Sequence, residues 1–391
     1  MSLFQKTPKI IKISYFVFVN IFAAIGLMFV GVFFAIRLKI TNVSGNIDNL
    51  SQQFQTQEDS FKVQGVSSTN SEVLNLDSQI ENLTKSRELK VNNLCSLSEL
   101  SFIAPLNVKK IINVYNQNNS DDVVSKMIFA VVTHLDNQEE FNQNIKKCIQ
   151  DFNPEKINID TISSEIQFIN SQNIFDWPNK KEWSDVSASI LKDKDIINKA
   201  ASIAKIEPRL IVSNLMVEQL RLFYSQRELY QKYFEPLKIL ANSNKISLGV
   251  MSIKEETAIN IERHLKDSSS PYYLGPEFEH LLDYPIDTNI PKTRYERLTD
   301  FGHYYNYLYG ALYLKQIMTQ WEKAGFSISH RPEIVGTLFN VGFPQSKPNS
   351  NPQVGGSTVK IDKTDYTFGR LAYEFYFSGE MSDIFPYTWE K

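Results

Sequence analysis

"LIVSNLMVEQLR", residues 210–221, is an apolar run with a single carboxylate, Glu218, in its middle. Pro208 suits the first turn of a helix, and Glu207 precedes it at the positive end of the helix dipole. At helical spacing Glu218 shares a face with Ile211, Asn214, Leu215 and Leu222. A carboxylate among apolar side chains is costly unless it is paired, hydrogen-bonded or protonated. The stretch alone leaves two readings open. Either Arg221 neutralises the acid one turn on, or the helix lines a cleft in which an acid is wanted.

Around this stretch the chain from 195 onward reads as helix after helix. The segments are "DIINKAASIAKI", "PRLIVSNLMVEQLRLFYSQRELYQKYF", "KEETAINIERHL", "YYNYLYGALYLKQIMTQWEKAG" and "PEIVGTLFNVG". Strand alternation is scarce, and the best strand candidate is "STVKI" in the tail, where a small hairpin is expected. Gly355-Gly356 just before it reads as a turn. No internal repeat of 20–50 residues is visible in the chain.

With 391 residues the chain has room for two or three domains, and 26 Phe and 18 Tyr allow a sizeable core. A net charge of −3 and a pI near 6.0 argue against a nucleic-acid partner, which calls for a basic face. Ile13 to Ile36 carries no charge over 24 residues. At 1.5 Å per residue that is roughly 36 Å of helix, enough to cross a hydrocarbon core of about 30 Å with some tilt. The segment exceeds a signal-peptide h-region and ends "FFAIRLK" without an A-x-A site, so an uncleaved anchor is expected. Lys6, Lys9 and Lys12 precede it and Arg37 and Lys39 follow, a weak positive-inside bias that puts residues 1–12 in the cytoplasm.

Residues 37–92 are rich in Ser, Asn and Gln and read as a polar stalk. Val43, Ile47, Leu50 and Phe54 form one short apolar stripe and Leu76, Ile80 and Leu83 a second. Neither reaches the three or four heptads of a coiled coil, so transient helix that assists self-association is expected. Residues 93–175 read as a small helical unit. Cys95 and Cys148, the only two cysteines, would close a disulfide there if the region is exported. No metal site and no cofactor site is expected: two cysteines 53 positions apart and five scattered histidines supply no ligand set, and His280 reads as a solvated side chain.

The order of short motifs in residues 195–345 resembles the lysozyme-like catalytic domain of lytic transglycosylases, which cleave peptidoglycan. Glu218 falls on that family's catalytic acid and Gly249-Val250-Met251-Ser252 on its Gly-Leu-Met-Gln turn, followed by Thr257-Ala258. Gly310, Tyr313 and Leu314 fall on a Gly-x-x-Tyr-Leu helix, and Phe339-Asn340-Val341-Gly342 on the last motif. Gln219 stands where the family has Ser, Ser252 where it has Gln, and Phe339 where it has Tyr. "FYSQRELYQKYFEPLKIL", with Glu228, reads as an inserted helix.

The resemblance implies a chemistry. Glycosidic cleavage needs a proton on the leaving oxygen while oxocarbenium character develops on the sugar. A glutamic acid in an apolar pocket keeps its proton near neutral pH, because desolvation disfavours the carboxylate. The same acid then serves as a base toward the muramyl 6-hydroxyl, giving a 1,6-anhydro product with no second carboxylate. Glu255 and Glu256 accordingly read as surface acids near a helix start. By the resemblance Gly249, Met251, Ser252, Tyr313, Phe339 and Asn340 are substrate-binding positions. Tyr304, Tyr305, Tyr307 and Tyr309 read as half-buried core or as a platform for sugar rings.

The expected molecule is therefore mainly α. It has a cytoplasmic tail (1–12), a transmembrane helix (13–36), a stalk (37–92), a helical unit (93–175) and a lysozyme-like domain (195–391) outside the cytoplasmic membrane. Its expected activity is cleavage of the MurNAc–GlcNAc bond of peptidoglycan glycan strands by Glu218. The alternatives are a hydrolytic muramidase with a second acid, a catalytically inactive glycan-binding or envelope scaffold, and an assembly protein in which the stalk and middle unit matter more than the cleft.

Overall fold

The computed structural model describes residues 9–37, 45–67, 89–166, 172–224 and 247–388. Among them are fifteen helices and three short two-stranded ribbons, so the mainly α class holds. The second apolar stripe, Glu228 and the inserted segment beyond Tyr224 lie outside the described residues.

Helix α1 (Lys9–Arg37) contains the expected anchor. Side chains are described at residues 14–28, 30 and 31, and the apolar ones among them, such as Phe16, Phe18 and Leu27, are exposed. Among the described residues no helix is long and apolar enough to cross a membrane.

The residues read as stalk are partly built into the body. Strand β1 (Asn46–Ile47) pairs antiparallel with β4 (Gly355–Gly356), and α2 (Ser51–Ser67) follows it. Gly355-Gly356 is thus a strand and not the turn expected of it. Phe54 is buried in edge contact with Phe129 and Tyr373. Asp48 accepts a hydrogen bond from Thr367 Oγ1 (2.8 Å), and Tyr373 donates to Gln57 Oε1 (3.0 Å).

The middle unit comprises α3 (Val91–Ile103), α4 (Pro105–Asn118), α5 (Asp121–Val132), α6 (Gln138–Gln150) and α7 (Ile159–Glu165). Its helices start where the sequence supplies caps. Ser120 Oγ accepts from the Val123 amide before the acidic pair Asp121-Asp122, and Asn158 forms a capping box with Thr161. Cys95 on α3 and Cys148 on α6 form a disulfide with Cα atoms 5.8 Å apart, a link typically worth about 2–4 kcal/mol. The unit does not stand alone, because one apolar cluster runs from Phe54 through Trp177 to Tyr387.

The C-terminal part holds α8 (Lys181–Lys192), α9 (Lys194–Ala204), α10 (Pro208–Tyr224), α11 (Glu255–Lys266), α12 (Ile290–Thr299), α13 (Tyr304–Lys323), α14 (Pro332–Val341) and α15 (Phe368–Phe377). The hairpin expected at "STVKI" is β5 (Thr358–Ile361) with β6 (Thr364–Thr367). At the start of α10, Arg209 is fully buried and donates to the carbonyls of Phe375, Tyr376, Glu380 and Phe385, at 2.7–3.1 Å. A cation at the C-terminal end of α15 answers the carbonyls left over there and the negative end of the helix dipole. This fixes the register of α10, and with it the position of Glu218.

Candidate functional site

Helix α10 carries Glu218 inward. The residue is 4% exposed, on a face with buried Ile211, Asn214 and Leu215. Its Oε2 accepts a hydrogen bond from Arg221 Nη2 in a short ion pair one turn on, and the Arg221 side chain is itself largely buried. Of the two readings the sequence left open, the geometry displays the neutralising pair. Arg221 Nε is buried without a hydrogen-bond partner among the described residues.

Next to Glu218 on α10, the Gln219 amide donates to the Val250 carbonyl at 2.7 Å and ties the helix to the turn after it. That turn joins β2 (Ser247–Leu248) to β3 (Ile253–Lys254). Gly249 has φ +67°, and a Cβ there would meet Leu298 O at 2.2 Å, so only glycine suits the position. The Met251 amide donates to Asn306 Oδ1 at 2.7 Å, and Asn306 Nδ2 donates to the carbonyls of Leu298 and Leu248. Met251 is buried against Gly310, where a Cβ would come 2.9 Å from its Cε. One turn along α13, the Tyr313 ring lies 5.3 Å from that of Phe339 and 4.6 Å from that of Phe343. Asn340 Oδ1 accepts from the Ser357 amide at 2.8 Å.

The structure thus brings together Glu218, the 249–252 turn, Gly310, Tyr313, Phe339 and Asn340. Their roles differ from those the resemblance implies. Met251, Tyr313 and Phe339 are buried and pack the motifs against one another, so they present no surface to a glycan. Ser252 (φ +51°) and Asn340 are partly exposed. Glu255, read as a surface acid, is buried 3.7 Å from Arg294, whereas Glu256 is exposed. Of the tyrosines, Tyr307 and Tyr309 are core and Tyr304 and Tyr305 are partly buried.

Two polar groups escaped the sequence reading. Glu262 Oε1 accepts from Tyr284, Tyr309 and Arg294 Nε, while Arg294 Nη2 binds Oε2 at 2.7 Å. Burial works to raise the Glu262 pKa, but the donors from Arg294, Tyr284 and Tyr309 outweigh it and hold the carboxyl below its ordinary range. The second group, Asp193 with His303 and Tyr307, faces a cavity of about 210 Å³. Leu215 and Gln219 of α10 also line that cavity, and Glu218 does not. No sequence signal joins Asp193 to His303, which lie 110 positions apart. Among the described residues no group of three or more His, Cys, Asp or Glu is placed to hold a metal ion.

Comparisons with family profiles, curated proteins and solved structures find no match for this chain.

Proposed function

We propose that the protein is a membrane-anchored peptidoglycan lytic transglycosylase with Glu218 as its single catalytic acid. One observation carries this reading. Four short motifs distant in sequence meet through direct contacts, Gln219 on Val250, Met251 on Gly310 and Tyr313 on Phe339, beside one buried glutamate. The uncharged segment 13–36 serves as the anchor, and the exposed apolar side chains of α1 and the Cys95–Cys148 disulfide support an extracytoplasmic body.

In the reaction the Glu218 carboxyl gives its proton to the leaving glycosidic oxygen as the C1–O bond breaks. The carboxylate so formed is held by Arg221. It then takes the proton of the muramyl 6-hydroxyl as O6 closes on C1, which restores the acid and leaves a 1,6-anhydro end. The pair with Arg221 must open before the first transfer.

That pair also favours a second reading, a catalytically inactive glycan-binding scaffold, because a buried carboxylate already matched to a guanidinium has no need of a substrate. Incubating the full chain in detergent with purified sacculi and analysing the released material by mass spectrometry separates the readings. Anhydro-muropeptides are expected. Reducing ends would make it a muramidase, and retention on sacculi with no release would make it a scaffold.

A further inference from the structure

The cavity beside α10 has a floor and a rim of different chemistry. On the floor, Asp193 is 8% exposed, and its Oδ2 accepts from His303 Nδ1 (2.6 Å) and from the Tyr307 hydroxyl (2.8 Å). A carboxylate only accepts, so Nδ1 carries the ring hydrogen, and the imidazole in its neutral form presents Nε2 as an acceptor. His303 holds this place with φ +56°, in the left-handed region that histidine enters more readily than most side chains do. Asp185 and Ser189 stand at the exposed rim, and Val186, Ile190, Leu215 and Val250 supply apolar wall.

Counting hydrogens shows what the cavity lacks. The Tyr307 hydroxyl is spent on Asp193, the Ser189 hydroxyl on the Asp185 carbonyl, and one Gln219 amide hydrogen on the Val250 carbonyl. What the lining offers is mostly lone pairs: His303 Nε2, the Asp185 carboxylate, Gln219 Oε1 and Ser189 Oγ. A ligand that satisfies them brings several N–H donors and a positive charge on a short apolar stem.

We propose that this cavity binds a primary alkylammonium group, with Asp185 supplying the counter-charge, His303 Nε2 a directed acceptor and the Val186–Ile190–Leu215–Val250 wall the seat for the carbon stem. The group belongs to a free amine or to an amine-bearing side chain on a peptide. The site stands apart from Glu218 and does not depend on any cleavage reaction.

Saturation-transfer NMR on the full chain in detergent tests it with n-butylammonium as probe, tetramethylammonium as a cation without N–H donors, and 1-butanol as an uncharged stem. Only n-butylammonium should bind. Its affinity should fall about tenfold or more in Asp185→Asn and in His303→Gln, the loss expected for one hydrogen bond to a charged group. Asp185 is an exposed rim residue, so its substitution leaves the fold intact and keeps the test valid if His303→Gln unfolds. Tighter binding of Nα-acetyl-lysine methylamide than of n-butylammonium assigns the site to a peptide side chain, and weaker binding assigns it to a free amine. Equal binding of tetramethylammonium and n-butylammonium, or affinity unchanged in Asp185→Asn, would overturn the proposal.

Discussion

Glu218 and Glu262 are both largely enclosed carboxylates on helices, with side chains 5% and 14% exposed, yet their surroundings differ in kind. Glu262 receives four donors, two from Arg294 and one each from Tyr284 and Tyr309, which fill the lone-pair sites a carboxylate has. Among the described residues Glu218 receives one donor, Arg221 of its own helix, whose Nε has no partner there. A saturated carboxylate held by three separate side chains cannot exchange partners without dismantling the packing of α11, α12 and α13. A carboxylate whose one donor among the described residues sits on the same helix turn can. The two enclosed carboxylates thus differ in the number and origin of their donors.

The largest effect should come from breaking the saturated site. Arg294→Met leaves Glu262 charged and enclosed with only two hydroxyl donors, a change that typically costs about 3–5 kcal/mol. Urea unfolding measures it, and a loss under about 1 kcal/mol would show that the four-donor arrangement is ornamental.

Acid should act next on the same helix. Burial first, and Arg263 second, lower the His264 pKa from 6.5 to about 4, so the unfolded chain binds a proton there that the folded one refuses. Stability should therefore fall as pH drops from about 6.5 toward 4. Glu262 follows below its ordinary value of 4.5: its folded pKa is depressed, so its contribution is intact above 4.5 and lost as pH falls through the folded value. His264→Gln should flatten the first limb of an unfolding-midpoint profile and leave the second.

The smallest effect sharpens the count of donors. Tyr309→Phe keeps the ring in the core and removes one of three hydrogen bonds to Glu262 Oε1, for about 1 kcal/mol. The same removal at Tyr313, whose ring packs on Phe339 and Phe343, should leave the Glu262 acid limb where it was.

The helices were legible because period and punctuation agree in the sequence: Pro208 before the apolar run of α10, Ser120 before Asp121-Asp122, and "STVKI" as a strand. Glu218 was legible as an anomaly on its own face. What was not legible depends on partners far along the chain. Phe54 lies in a polar segment whose apolar stripe is too short to signal anything, and only Phe129 and Tyr373 give it a core to enter. Glu255 looks like a surface acid until Arg294 arrives from α12. Motif order assigns Met251, Tyr313 and Phe339 to one site, but order says nothing of exposure, and all three are buried.

The central claim is that Glu218 acts and Glu262 only holds. The direct test measures release of anhydro-muropeptides from purified sacculi by Glu218→Gln and Glu262→Gln, each assayed below its own unfolding midpoint. The account predicts that Glu218→Gln lowers release by about 10²-fold or more while remaining folded, as loss of a general acid requires. Glu262→Gln should lower the midpoint and retain release in its folded fraction. Wild-type levels of release from Glu218→Gln would contradict the account.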